Sequence, residues 1–235
     1  MENASKALIM TGSILMAVLI IGLLVFGYKQ ISELEQTKSN VKESEKMAEY
    51  MRKFEQFNRD KENPFYGSEL LSLANLQEDY NKTQGNEELT GYKAIKINVV
   101  ITKTIPEAEY FCKSTGTFSM EKILQSKKGM EAKLSEYETK NSKYKNRSVK
   151  YYATKTNKEI AEDFGIDVPS YVLDYDVPGE YFTSGNVKQL VEDIQHYRSL
   201  KSEYDEFKTG KKFYCSNVKY NKNNGRIEEM TFKEI

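Results

Sequence analysis

One uncharged stretch near the start of the chain constrains it more than any other feature. Ala7 to Phe26 gives twenty consecutive residues without a charge, ALIMTGSILMAVLIIGLLVF, and twelve of them are Leu, Ile, Val or Phe. At 1.5 Å per residue such a helix is about 30 Å long, which matches the hydrocarbon core of a bilayer. The stretch therefore predicts a transmembrane anchor over residues 1–28.

The main alternative to an anchor is a cleavable secretory signal. Such signals usually have an apolar core of only about 7–15 residues followed by a small-residue cleavage site, whereas this run is longer and lacks an Ala-x-Ala downstream. Positive charges near the two ends of the run do not differ clearly, so the charge rule does not set the orientation. The short tail before Ala7 favours an N-terminus inside the cell. We expect a single-pass protein of the cell membrane, with the bilayer as a partner and the remaining domain extracytoplasmic.

The helix is expected to continue beyond the anchor. No Pro or Gly occurs between Tyr28 and Asn63, and apolar residues recur at spacings of three and seven on one face. This pattern predicts an amphipathic stalk over residues 29–62. Its apolar face could pack on the domain that follows or pair with another copy, and the candidate interface residues are Ile31, Leu34, Val41 and Ala48.

Residues 63–235 are predicted to form one head domain of the α+β class with antiparallel strands. The alternating, β-branched run in Lys93–Thr104 predicts a strand, and a second short strand is expected through Tyr110 and Phe111. Near the end, FYCSNVKY and RIEEMTF flank Asn224-Gly225, a pair that supplies the backbone angles of a tight turn. These runs predict a C-terminal β-hairpin, and amphipathic helices are expected at 119–137 and 187–207.

A long N-terminal helix that enters a mixed α+β head resembles the type IV pilins and pseudopilins. The resemblance covers roughly residues 1–60 and implies self-association or contact with other pilin-like envelope proteins. No residue role carries over from that family, because Glu2 is the only acidic residue before Tyr28. The runs MENASKALIM and FYCSNVKY…NNGRIEEMTF also resemble a group of bacterial membrane-anchored proteins from anaerobic Firmicutes that has no assigned activity.

Composition argues against several functional classes. Lys and Arg number 35, as do Asp and Glu, so no overall field draws the chain to nucleic acid. His196 is the only histidine, which removes His clusters and most nucleophile–histidine pairs; it is expected at a surface or interface. Gly-rich phosphate loops and Gly-x-Ser-x-Gly are missing. We therefore expect a protein that is not an enzyme and that uses no cofactor or metal.

Two local features remain as candidate sites. A basic block interleaved with Tyr144, Tyr151 and Tyr152 could bind an anionic polymer such as teichoic acid or DNA, or it could pair with the acidic block that follows at residues 159–187. Three acids, Asp174, Asp176 and Glu180, could hold Ca²⁺ but suit an exposed acidic loop better. The basic residues are Lys140, Lys143, Lys145, Arg147, Lys150, Lys155 and Lys158.

The two cysteines, Cys112 and Cys215, lie too far apart for a Cys-x-x-Cys motif. They could form a disulfide in an oxidising compartment, or they could be buried free thiols, which is the interpretation we favour. Taken together, the sequence predicts a non-enzymatic, membrane-anchored, pilin-like structural or interaction protein of the cell envelope. The alternative is a surface module that captures an anionic polymer through residues 140–158.

Overall fold

The computed structural model of the chain describes residues 2–83, 85, 93–168, 182 and 185–235. The first helix, α1, runs from Glu2 to Glu55, and its side chains are described at positions 16, 18–32 and from 44 onward. The chain divides into two compact units, residues 1–52 and residues 53–235. We call the second unit the body.

The prediction of a single-pass membrane anchor is wrong. Among the described residues, no helix combines the length and the apolar character needed to cross a bilayer. The predicted localisation, in the cell membrane with the N-terminus inside and the head outside, is corrected accordingly.

The body belongs to the α+β class, as predicted, and is built on a mixed sheet. Its described strands are β1 (Phe65–Tyr66), β2 (Lys96–Ile101), β3 (Gly116–Ser119), β4 (Lys212–Tyr220) and β5 (Ile227–Glu234). Their order in the sheet is β1-β4-β5-β2-β3. All neighbours are antiparallel except β2 and β5, which run parallel.

The predicted hairpin is confirmed as β4 and β5, which pair antiparallel from Phe213 opposite Glu234 to Tyr220 opposite Ile227. Its loop is longer than an Asn-Gly turn. The Asn221 N–H donates to the Arg226 carbonyl at 2.7 Å, and the Asn221 side-chain oxygen accepts the N–H of Asn223 at 2.8 Å. Only Gly225 in this loop takes a positive φ, of 68°, and both the backbone and the side chain of Asn221 close the loop.

Helices cover the sheet because their apolar positions recur at helical spacing. The α-helices described in the body are α2 (Gly67–Thr83), α3 (Met120–Glu138), α4 (Val149–Ala153), α5 (Asn157–Asp163) and α6 (Gly185–Asp205). In α2, Leu70, Leu73 and Ala74 are buried, and in β2 the alternate residues Ile97, Val99 and Ile101 are buried. The Ser119 side chain accepts the Lys122 N–H and caps α3.

A second strand was expected through Tyr110 and Phe111, but these residues lie in the loop between β2 and β3. Their backbone N–H groups donate to the carboxylate of Glu203 on α6, at 2.8 and 2.5 Å, and the N–H of Glu109 donates to the same carboxylate at 2.9 Å. A buried side chain thus takes the hydrogen bonds that a neighbouring strand would have taken.

Candidate functional site

The most unusual surface of the molecule lies on α1. From Val18 to Phe26 every side chain other than that of Gly22 is aliphatic or aromatic, and each is 54–68 % exposed. Contiguous exposed apolar patches of this kind mark sites of interaction in soluble proteins. We call residues 18–26 the apolar segment.

The apolar segment faces every direction around the helix axis. Successive residues of an α-helix are turned by about 100°, so nine consecutive apolar positions leave no polar side. A surface helix normally has one apolar stripe, and a helix that is apolar all round is normally buried all round. Covering the segment on every side therefore takes several neighbours, and one is not enough.

The predicted stalk interface is described only in part. Ile31 is 59 % exposed and Ala48 is also exposed, so both are accessible on α1. The side chains of Leu34 and Val41 lie outside the described residues. The sequence placed the candidate interface at these four stalk residues, whereas the longest run of exposed apolar side chains that the structure describes is residues 18–26.

Three of the seven basic residues in the block are paired with carboxylates of the body. Lys150 lies 2.9 Å from Glu138 and Lys155 lies 2.8 Å from Glu159. The Lys145 ammonium contacts both the carbonyl oxygen and the carboxylate of Asp163. Two of these three acids belong to the following acidic block, so the contacts fit the alternative in which the two blocks neutralise each other.

The remaining basic residues are placed differently. Arg147 lies 4.5 Å from the centre of the Tyr151 ring, a cation–π contact. Lys140 and Lys143 are exposed and form no ion pair with any residue that the structure describes, while Lys158 has partners of its own. The block does not present seven free cations to a ligand.

Two of its three tyrosines are unavailable for stacking on a polymer. Tyr144 and Tyr152 are 2 % and 1 % exposed. Their hydroxyls donate to Asp193 at 2.7 Å and to Asp163 at 2.6 Å. Burial and these carboxylate contacts raise the pKa of both phenols above the usual value of 10, which fixes them as neutral donors in the core.

Both cysteines are free thiols in the structure, Cys112 buried and Cys215 half-buried. Burial raises the pKa of the Cys112 thiol to about 12 and also raises that of Cys215. Neutral buried thiols act as small hydrophobic side chains, which is the interpretation favoured from the sequence over a disulfide.

A hydrogen-bonded chain around His196 was not foreseen. The Tyr137 hydroxyl lies 2.8 Å from Nδ1 of His196, and Nε2 of His196 lies 2.7 Å from the Glu109 carboxylate. The chain joins α3, α6 and the β2–β3 loop. Sequence spacing gives no signal of it, because 28 positions or more separate each pair of residues along the chain.

The three acids considered for Ca²⁺, Asp174, Asp176 and Glu180, lie outside the described residues. Among the residues that are described, no group of His, Cys, Asp or Glu has the arrangement of a metal site.

No protein-family model, curated protein or solved structure matches this chain. The interpretation of its function therefore depends on the geometry described above.

Proposed function

We propose that this chain is a non-enzymatic structural protein that assembles with copies of itself through the apolar segment of α1. The observation that carries the proposal is the exposure of residues 18–26 on all sides of the helix. Fully burying one Val, Leu, Ile or Phe side chain contributes about 1.5–3 kcal/mol. Burying eight such side chains would therefore strongly favour association.

The all-round distribution favours an assembly of three or more copies. A single partner helix covers an apolar stripe about 100° wide and would leave most of the segment in water. Two or more neighbours around each helix cover it fully, as in a helical bundle. Bundled N-terminal helices are also what the resemblance to pilins implies.

Charge supports association between identical copies. The chain has 35 basic and 35 acidic residues and a formal net charge of zero. Strong net charge keeps proteins apart through repulsion, and this chain lacks such a charge. Other copies of the chain are therefore suitable partners for the segment.

The mass of the full chain in detergent-free buffer tests the proposal. We expect analytical ultracentrifugation to show particles of three or more copies that dissociate on dilution. The variant L23E places a carboxylate in the middle of the segment, whose burial is costly, and should give a monomer. Q30E adds the same charge at an exposed polar position of the same helix and should assemble like the parent chain.

Two results would contradict the proposal. One is a parent chain that stays monomeric at every concentration. The other is a parent chain that leaves its own assemblies for phosphatidylcholine vesicles in a flotation experiment, which would assign the segment to lipid.

Capture of an anionic polymer by residues 140–158 has less support as a function. Lys145, Lys150 and Lys155 already contact carboxylates of the body, and Tyr144 and Tyr152 are buried. A polymer would have to compete with these carboxylates for three of the seven basic residues.

A further inference from the structure

The body contains a cavity that the proposed assembly does not use. Its volume is about 210 Å³, and it lies between β2, β3, the first half of α3 and the β2–β3 loop. Ile101, Phe118 and Ile123 form apolar walls, and the Cys112 thiol lies beside them. Pockets that bind drug-sized ligands have volumes of roughly 300–1,000 Å³, so this cavity suits a smaller molecule.

Two lysines give the cavity mouth a positive charge. Lys113 and Lys122 both line it, both are exposed, and neither forms an ion pair with a described residue. Lys122 lies 5.0 Å from the centre of the Phe118 ring. The carboxylate in the described lining, Glu109, is hydrogen-bonded to His196 at 2.7 Å.

In two other cavities of the body, the lining lysines are paired with carboxylates. Between α2 and α3, a cavity of about 350 Å³ contains Lys82 and Lys128, and both lysines pair with Glu78, at 2.8 and 2.7 Å. A cavity of about 390 Å³ beside Tyr151 contains Lys155, which pairs with Glu159. Only the cavity at Cys112 among these three offers lysines without carboxylate partners in the described part of the chain.

The loop that forms one wall is held in place before any ligand arrives. Glu107 and Cys112 have left-handed backbone conformations, with φ of 56° and 50°, which non-glycine residues adopt at an energetic cost. The Glu203 carboxylate, which accepts three N–H groups of this loop, stabilises that conformation. Strained backbone of this kind is concentrated at ligand sites.

From this arrangement we propose that the cavity binds a small organic anion with an apolar body. The apolar part lies against Ile101, Phe118 and Ile123, and the anionic group lies at the mouth between the ammonium groups of Lys113 and Lys122. Apolar walls with a few placed charges are the usual composition of small-molecule sites. Benzoate has the matching size and chemistry and serves as the probe.

The test measures benzoate binding to the full chain by calorimetry and saturation-transfer NMR, with uncharged benzamide as the matched ligand. We expect benzoate to bind more tightly than benzamide. K113Q and K122Q should each weaken benzoate binding by about 5-fold, the upper end for an exposed ion pair, and leave benzamide unchanged. K222Q, which removes an exposed lysine of the β4–β5 loop outside the cavity, should have no effect.

A cavity-filling variant locates the binding. Ser126 on α3 lines the cavity, and S126W should abolish binding of both ligands while circular dichroism shows an intact fold. The proposal is overturned if benzoate fails to bind at tens of millimolar, if benzamide binds equally well, or if K113Q and K122Q bind benzoate like the parent. Binding that survives in folded S126W would place the ligand elsewhere and overturn it as well. Should S126W not fold, the two lysine variants decide alone.

Discussion

The apolar segment of α1 and the body differ in which side chains they leave in water. The segment exposes more than half of each of eight apolar side chains, whereas the body buries the polar side chains of Gln77, Glu203, Lys211 and Glu234 to 4–7 % exposure. Burying polar groups is costly unless each finds a partner, and exposing so much apolar surface is costly unless something covers it. The body therefore needs hydrogen-bond partners for its buried polar groups, whereas the segment needs other apolar groups to cover it.

The buried polar side chains of the body have their hydrogen-bond partners within the body. The Gln77 amide donates to the Ile95 carbonyl at 2.7 Å, and Lys211 donates to Glu234 at 2.6 Å and to the Lys103 carbonyl at 2.9 Å. Glu203 accepts three backbone N–H groups. The apolar segment has no comparable compensation among the described residues, so its exposed side chains require cover from another molecule.

The largest effect is expected from E203A, which removes the acceptor of three N–H groups. Stranding buried polar groups and breaking a network centred on a charge costs about 3–5 kcal/mol of unfolding free energy. Urea unfolding followed by circular dichroism measures it. E192A, on an exposed position of the same helix, should change the value by about 0.5 kcal/mol or less. A loss below about 1 kcal/mol for E203A would show that the β2–β3 loop does not depend on this carboxylate.

The buried pair of Lys211 and Glu234 gives the next largest effect. K211M leaves the Glu234 carboxylate buried without its counter-ion, and we expect a loss of about 3 kcal/mol. The double variant K211M/E234Q removes both charges and should be more stable than the sum of the two single losses predicts, by about 1–3 kcal/mol. Additive losses in urea unfolding would mean that the two side chains do not stabilise each other.

Acid should weaken the body through the same pair. Burial alone would raise the pKa of Glu234, but the Lys211 ammonium and the N–H groups of Lys103 and Thr102 outweigh it and lower that pKa. The unfolded chain therefore binds this proton at higher pH than the folded one. The stabilisation is complete above the unfolded pKa, about 4.3, and is lost as the pH falls through the folded pKa. The gap in melting temperature between the parent and E234Q should narrow on acidification below that value; a constant gap would contradict the assignment.

Local sequence patterns correctly predicted the strands of the body that depend on residues close together in the chain. The alternation in Lys93–Thr104 gave β2, and the residues around Asn224-Gly225 gave the hairpin. Tyr110 and Phe111 were misassigned to a strand because their stabilising partner, Glu203, lies more than 90 positions away. The parallel pairing of β2 with β5 and the chain from Tyr137 through His196 to Glu109 also depend on distant contacts that no spacing encodes.

On α1 the sequence identified a strongly apolar run, but the membrane anchor predicted from that run is wrong. The uncharged run was assigned to a bilayer, but the structure describes no membrane-crossing helix and shows residues 18–26 exposed. In the basic block, charges alone suggested a ligand surface, whereas carboxylates folded against it already satisfy three lysines. Composition predicts which groups need partners, and the fold decides which of those partners are already present.

The smallest effect is expected from L23E on the stability of the body. Leu23 belongs to residues 1–52, a compact unit separate from the body, so the substitution should shift the urea unfolding free energy of the body by about 0.5 kcal/mol or less even as it abolishes assembly. Unfolding measured at low and high protein concentration checks this, because a partner that binds only the folded body would raise its midpoint with concentration. If the midpoint rises for the parent chain and not for L23E, assembly through α1 also stabilises the body, and the contrast between a self-sufficient body and a partner-dependent segment fails.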